Sequence, residues 1–316
     1  MKGQLRAIVL GVNGQDGSLL AESLLAQRYV VCGIGRQPSS RYVAAQEGYS
    51  YVSCDMTDPQ ALNQVLHHQK PEFVFHVAAV HGSAGFQYES VALETMMVNL
   101  VSVQVVLEYL RRHRPDGFLL YASSAKVFAA PLPEVVDEAA LKATTCLYSY
   151  TKNSAADLIS FYRRRHGIGA SILYLFQHES PRRAAAYFIP KICSILLEAL
   201  HTPSAKGQVG TLDFYCDWGA AQEYMEFAVA ISATRLSEDF VVASGVTRHA
   251  RQFVETLFAA YGLDWAAFVE EIGAGPNTQP FFQVSTAKLQ ARLGRTPQRS
   301  ILEVCDEILQ SKRALQ

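Results

Sequence analysis

The chain has 316 residues, 49% of them hydrophobic and 18% charged, which is enough apolar material for a sizeable core and excludes a disordered polymer. Its 28 Lys+Arg stand against 29 Asp+Glu, a formal charge of −1. That balance excludes bulk electrostatic binding to nucleic acid or to an anionic membrane, but leaves open an anionic small molecule held by a few placed donors.

In chain order, β-branched runs at residues 6–10, 30–35, 51–54, 73–77, 118–122 and 170–175 read as strands. Helical patterns at 18–27, 59–68, 90–112 and 148–166 lie between them. Six strands with crossover helices predict an α/β fold, a doubly wound parallel sheet of the Rossmann kind. Its 73–77 strand is nearly all apolar, as a strand covered on both faces must be. Beyond residue 176 the pattern loosens: 182–201 reads as a loop followed by an apolar helix, 238–244 as a strand, and 247–261 and 300–313 as helices. We therefore expect a dinucleotide-binding domain over 1–176 and a smaller C-terminal α/β substrate-binding lobe over 177–316, with some segments returning to the first domain. The six cysteines are scattered, with no CxxC pair and no metal-ligand spacing, so no metal is expected. The amino terminus carries no signal-peptide pattern, and no apolar stretch reads as long enough to span a membrane, so a cytoplasmic setting is expected.

Two patterns carry chemistry. Gly11, Gly14 and Gly17 fall at GxxGxxG spacing directly after the first strand, with Asn13, Gln15 and Asp16 between them. Glycines there allow a tight turn and close backbone approach to a pyrophosphate at a helix N-terminus. The end of the second strand decides which dinucleotide. It carries Arg36 and no carboxylate, which favours NADP over NAD; a solvated loop arginine is the alternative. Asp55 is a candidate adenine contact or simply a turn former, and Met56, Ala78 and Ala79 complete the expected cofactor surface. The second pattern is Tyr148 and Lys152, a YxxxK pair on one helical face, with Ser123 and Ser124 at the end of the preceding strand. An ammonium beside a phenol favours phenolate, so Tyr148 can exchange a proton with a substrate hydroxyl, and a strand-end serine can polarise the same oxygen. The alternative for the pair is two surface residues.

Gly14-Gln15-Asp16-Gly17-Ser18, the string Leu175-Phe176-Gln177-His178-Glu179-Ser180-Pro181-Arg182-Arg183, and Asp217-Trp218-Gly219 with Tyr224 resemble the GDP-mannose 4,6-dehydratase family. The resemblance implies an extended short-chain dehydrogenase/reductase, NADP, a nucleotide sugar on the C-terminal lobe, and a homodimer or homotetramer. It also implies cofactor contacts at His178 and Arg183, and substrate contacts at Ser123, Gln177, Glu179, Lys191, Tyr215, Cys216 and Arg251. Family catalysis removes a hydride from sugar C4, eliminates water across C5 and C6, and returns the hydride to C6. Its strand-end motif reads Ser-Thr-Ser-Glu, the glutamate taking the C5 proton. Here the matching residues are Ser123, Ser124, Ala125 and Lys126. A lysine is ordinarily protonated, so the resemblance implies a variant dehydratase or an epimerase with Lys126 as a candidate second proton-transfer group. A solvated lysine is the alternative, and a keto-sugar reductase or dehydrogenase, or a non-dehydratase paralogue that binds NADP, stays open. Gln177 replaces an asparagine, Tyr215-Cys216 replaces a basic residue, and Gln279-Pro280 stands where the family has Arg-Pro.

Overall fold

The computed structural model describes residues 4–82, 85–202, 204–273 and 279–314. The chain divides into two compact units.

The first unit comprises Met1–Ala129, Leu141–Leu175 and Ala221–Val242. Its strands β1 (Arg6–Leu10), β2 (Val30–Gly35), β3 (Tyr49–Ser53), β4 (Phe73–His76) and β5 (Phe118–Ser124) pair with Gly169–Leu175 and Asp239–Val242. They form one seven-stranded sheet in the order Asp239–Val242, Gly169–Leu175, β5, β4, β1, β2, β3. Every pairing is parallel, with Val9 opposite Phe75 and Leu120 opposite Ser171. The apolar runs of β1 and β4 are buried throughout their cores, as helices on both faces require. The doubly wound sheet expected from the alternating pattern is therefore present, with a seventh strand. That strand is the one expected at 238–244, and it pairs in register with Gly169–Leu175.

Helix α1 (Gln15–Ala26) starts three residues earlier than its apolar pattern suggests, because Gly14 already serves as its N-cap. Helix α2 (Pro59–Gln69) is capped by Asp58, which accepts from the Gln60 and Ala61 amides. The expected helix 90–112 is a composite: a 3₁₀ turn at Tyr88–Val91, α3 (Ala92–Met96), a π-helical turn at Met97–Val101, and α4 (Ser102–His113). Contrary to the sequence expectation, this run of Tyr88–His113 is long and apolar enough by length and composition to cross a membrane. Its α4 segment packs against α2, α5 and β5. Helix α5 (Leu147–His166) ends on Gly167 in the left-handed region, φ +67°. The helix Ala221–Thr234, which has no clear amphipathic signal, packs against α1.

The second unit comprises Ala130–Ala140, Phe176–Ala220 and Ala243–Gln316. Its three-stranded sheet runs Thr247–His249, Tyr215–Ala220, Gln177–Glu179, the first pair antiparallel and the second parallel. The expected helix 247–261 is shorter, Ala250–Ala259, because Thr247–His249 pairs with Tyr215–Asp217 as a strand. The helices Phe188–His201 and Ile301–Arg313 pack together over an apolar cluster that includes Trp218, Phe253 and Cys305. Ser300 and Glu303 form a capping box on the latter.

Candidate active site

The turn after β1 is built on glycine for steric reasons. Gly11 has φ +92°, and a Cβ on it would lie 2.8 Å from Ala78 Cα; a Cβ on Gly17 would lie 2.2 Å from the Gly11 carbonyl oxygen. The turn is pinned to the sheet by the Gly11 and Val12 amides, which donate to the Ile34 carbonyl oxygen at 2.9 and 3.1 Å. Gly14, the N-cap of α1, makes no side-chain cap bond, and the positive end of the helix dipole lies at this turn. This cradle fits the pyrophosphate of a dinucleotide: backbone donors, a helix N-terminus and no Cβ in the way.

At the end of β2 the amide of Asn13 donates to Gln37 Oε1 and to the Ser39 carbonyl oxygen, both at 3.0 Å, while its Oδ1 accepts from the Arg41 amide at 2.8 Å. Asn13 thus fixes the loop that carries Arg36. The Arg36 guanidinium donates to Glu94 Oε1 at 2.8 Å. Asp55 accepts from the Thr57 amide and hydroxyl at 2.9 and 2.8 Å, and these bonds hold its carboxyl below the usual range. The turn-forming reading of Asp55 is thus realised in full view, on an exposed residue that also remains open to a ligand. Met56 is half-buried, Ala78 is buried behind Gly11, and Ala79 is exposed.

Tyr148 and Lys152 lie one turn apart on α5, both buried. Lys152 Nζ donates to the Ala122 carbonyl oxygen at 2.7 Å and sits 4.7 Å from the Tyr121 ring centre and 5.8 Å from that of Tyr148. Burial pushes the Lys152 ammonium down to about 7, opposed by the negative charge of Asp16. The Tyr148 ring centre lies 4.6 Å from that of His81 and 5.8 Å from that of Tyr88. Ser123 Oγ is buried without a hydrogen-bond partner, and Ser124 Oγ accepts from the Lys126 amide at 3.2 Å. Lys126 is exposed and ends the short 3₁₀ turn Ala125–Val127. Its charge is felt by Cys146, the N-cap of α5. Burial raises that thiol, but hydrogen bonding from Ser149 and Tyr148, with Lys126 nearby, outweighs burial and leaves it below its usual value.

Sequence reasoning missed Asn99. It is fully buried in the π turn, accepts from the Val80 amide at 2.8 Å and donates to Thr151 Oγ1 at 3.2 Å. Its own carbonyl oxygen accepts from the Tyr121 hydroxyl at 3.3 Å. One side chain thereby joins the loop after β4 to α5. A polar residue inside an apolar helical pattern was the available signal, and π turns favour such sites.

On the second unit, His178 Nδ1 bonds the Phe176 carbonyl oxygen at 2.6 Å, and Arg183 lies 3.6 Å from the buried Glu179 carboxylate. Gln177 and Lys191 are exposed. Tyr215 packs edge-on against His249 and Phe281, whereas Cys216 is buried in the apolar cluster, where burial raises its thiol. Arg251 is paired with Glu271 at 2.6 Å. Among the described residues no cluster of metal-ligating side chains occurs.

An all-parallel sheet, a glycine turn after its first strand and a buried Tyr–Lys pair beyond its fifth define a short-chain dehydrogenase/reductase of the Rossmann type. The family model described as GDP-mannose 4,6 dehydratase matches residues 8–306, and the chain belongs to that family. The GDP-mannose 4,6-dehydratase of Vibrio cholerae is 27% identical over 351 residues, covering 96% of this chain and 92% of that protein. GDP-mannose 4,6-dehydratase sdnI of Sordaria araneosa is 28% identical over 96% of this chain, which spans 60% of that longer protein. Among solved structures, the dTDP-glucose 4,6-dehydratase DesIV of Streptomyces venezuelae, with NAD bound, has a TM-score of 0.83 at 18% identity, covering 98% of this chain and 97% of that one.

Proposed function

We propose that this chain uses NADP to oxidise a hydroxyl of a nucleotide-linked sugar transiently, and completes a dehydration or an epimerisation before the hydride returns. The observation that carries this reading is the buried Tyr148–Lys152 pair, bonded through Lys152 to the Ala122 carbonyl oxygen one residue before the partnerless hydroxyl of Ser123. Two buried ionisable groups and a buried orphan hydroxyl are costly unless a ligand uses them. When bound, the nicotinamide supplies the hydride acceptor and donor.

The chain's own residues do the rest. Tyr148 takes the hydroxyl proton as the carbon is oxidised and gives it back on reduction. Lys152 stabilises the phenolate, and the approach of an anionic dinucleotide favours its ammonium form. Ser124 or Ser123 donates a hydrogen bond to the substrate oxygen. Oxidation acidifies the neighbouring C–H, and Lys126, at the position of the family's glutamate, is the group proposed to move that second proton. His178, Glu179, Arg183 and Arg251 are proposed contacts for the nucleotide sugar or the cofactor. NADP is preferred here because Arg36 stands where a carboxylate would otherwise bond the ribose hydroxyls.

A second reading, a keto-sugar reductase, is favoured by two features: Lys126 is exposed and Ala125 provides no acid. Two variants separate the readings. Tyr148→Phe is expected to abolish turnover; full turnover in that variant overturns the catalytic assignment. Lys126→Ala is expected to block product formation while bound cofactor is still reduced; unchanged turnover favours the reductase. The substrate class is tested by thermal shift with GDP-, CDP-, UDP- and dTDP-sugars, and stabilisation by none of them overturns it. Mass spectrometry of the denatured protein is expected to release NADP(H) in preference to NAD(H).

A further inference from the structure

Arg36 does not stand alone at the end of β2. Its guanidinium donates to the carboxylate of Glu94, which α3 delivers from 58 residues further along the chain. The side chains are 68% and 35% exposed, so an arriving ligand reaches both. In this type of sheet the end of the second strand meets the adenosine ribose, where a carboxylate suits the free hydroxyls of NAD and an arginine suits the 2′-phosphate of NADP. This chain brings one of each to the same place and bonds them together. The backbone beneath is fixed by Asn13, whose amide and carbonyl hold Gln37, Ser39 and Arg41. The Arg36 side chain, not the loop, therefore has to choose a partner.

We propose that Glu94 is a cofactor-specificity residue: it competes with the 2′-phosphate for Arg36 and narrows the margin by which NADP is preferred over NAD. The proposal rests on the dinucleotide reading above. A 2′-phosphate either displaces Glu94, at the cost of the Arg36–Glu94 ion pair, or shares the guanidinium with it, which brings two like charges close. NAD carries no charge at that point and leaves the ion pair intact. The Glu94–Arg36 bond is exposed and weak enough to be exchanged, which suits a modulating role and not a structural one.

The test is equilibrium titration of the full chain with NADP+ and with NAD+, read by protein fluorescence, for wild type, Glu94→Gln, Arg36→Ala and the double variant. Glu94→Gln is expected to tighten NADP+ roughly threefold to tenfold and to leave NAD+ unchanged. Arg36→Ala is expected to weaken NADP+ roughly tenfold or more, again without effect on NAD+. The double variant is expected to match Arg36→Ala, because Glu94 acts through the arginine. If Arg36→Ala weakens NADP+ but Glu94→Gln leaves the NADP+/NAD+ ratio unchanged, the role of Glu94 is overturned and that of Arg36 stands. If Arg36→Ala alters neither cofactor, the NADP reading itself falls. If wild type binds neither dinucleotide, both fall.

Discussion

Lys152 Nζ donates to the Ala122 carbonyl oxygen at 2.7 Å from a position that is 1% exposed. One hydrogen bond to a neutral acceptor does not replace the hydration of an ammonium, and burial lowers its pKa to about 7. An unfolded lysine keeps its proton up to about pH 10.4. Between those values the unfolded chain binds more protons than the folded one, so this group makes stability rise with pH. Urea unfolding of the chain without cofactor, from pH 7 to 9.5, is expected to give a stability difference between wild type and Lys152→Met that moves in favour of wild type as pH rises. The ceiling is about 1.4 kcal/mol per pH unit. A difference that stays flat means that Lys152 keeps an ordinary pKa when buried.

The glycine turn gives a sharper contrast. A Cβ on Gly17 meets three backbone atoms between 2.2 and 2.7 Å away, and backbone cannot step aside as a flexible side chain can. Gly17→Ala is expected to cost roughly 2–4 kcal/mol of stability. A Cβ on Gly14 meets only the Gly11 carbonyl oxygen, at 3.3 Å, and its φ of −84° suits any residue. Gly14→Ala is expected to fold at a cost of no more than about 1 kcal/mol, yet to weaken dinucleotide binding, because its methyl group occupies the approach of the pyrophosphate. Equal stability loss in both variants would remove the steric argument.

Asn99 is expected to be the costliest single polar truncation in the first unit. Its side chain satisfies the Val80 amide at 2.8 Å, the Val80 carbonyl oxygen at 3.3 Å and the Thr151 hydroxyl at 3.2 Å. Asn99→Ala removes these bonds from the half-buried Val80 backbone and leaves the Thr151 hydroxyl only its bond to the Tyr148 carbonyl oxygen; a buried polar group left unsatisfied costs about 1–3 kcal/mol. Chemical denaturation should register a loss of roughly 2–4 kcal/mol. Faster amide exchange at Val80 than in wild type would locate the damage.

What the sequence made legible follows from range. Gly11, Gly14 and Gly17 announce their turn because the steric demand is local, and Tyr148 and Lys152 announce a shared face because helical spacing is local. The apolar strands of the large sheet are legible for the same reason. The strand Thr247–His249 was read as the start of a helix, since only its pairing with Tyr215–Asp217 makes it extended. The helix Ala221–Thr234 was missed because it is apolar on most sides, with Tyr224, Met225, Phe227 and Ala228 all buried. Arg36 was legible as a cation at a strand end, but its carboxylate partner 58 residues away was not. Long-range pairing leaves no local period to detect.

Asp217 shows the same limit at a residue that the family resemblance singled out. It is fully buried in the strand Tyr215–Ala220, and its Oδ1 accepts from the Ser244 amide at 2.9 Å while Oδ2 has no partner. Burial raises its pKa to about 6, against the lowering effect of hydrogen bonds from Ser244, Gly245 and Val246. Its position therefore fixes the turn at 244–246 within the second unit. An unfolded aspartate loses its proton near pH 3.9. From there to pH 6 the folded chain binds more protons than the unfolded one, so the stabilising contribution is full at low pH and is lost as pH rises through 6. Asp217→Asn keeps an acceptor for Ser244 and removes the buried charge. The stability of wild type minus that of Asp217→Asn is expected to fall between pH 4 and 6, by about 3 kcal/mol at most, and to level off above pH 6.5. Thermal unfolding of the two proteins across that range decides it, because the remaining carboxylates titrate equally in both. A difference that rises over the same interval would mean that Asp217 is a stabilised carboxylate, with the Ser244–Val246 amides outweighing its burial.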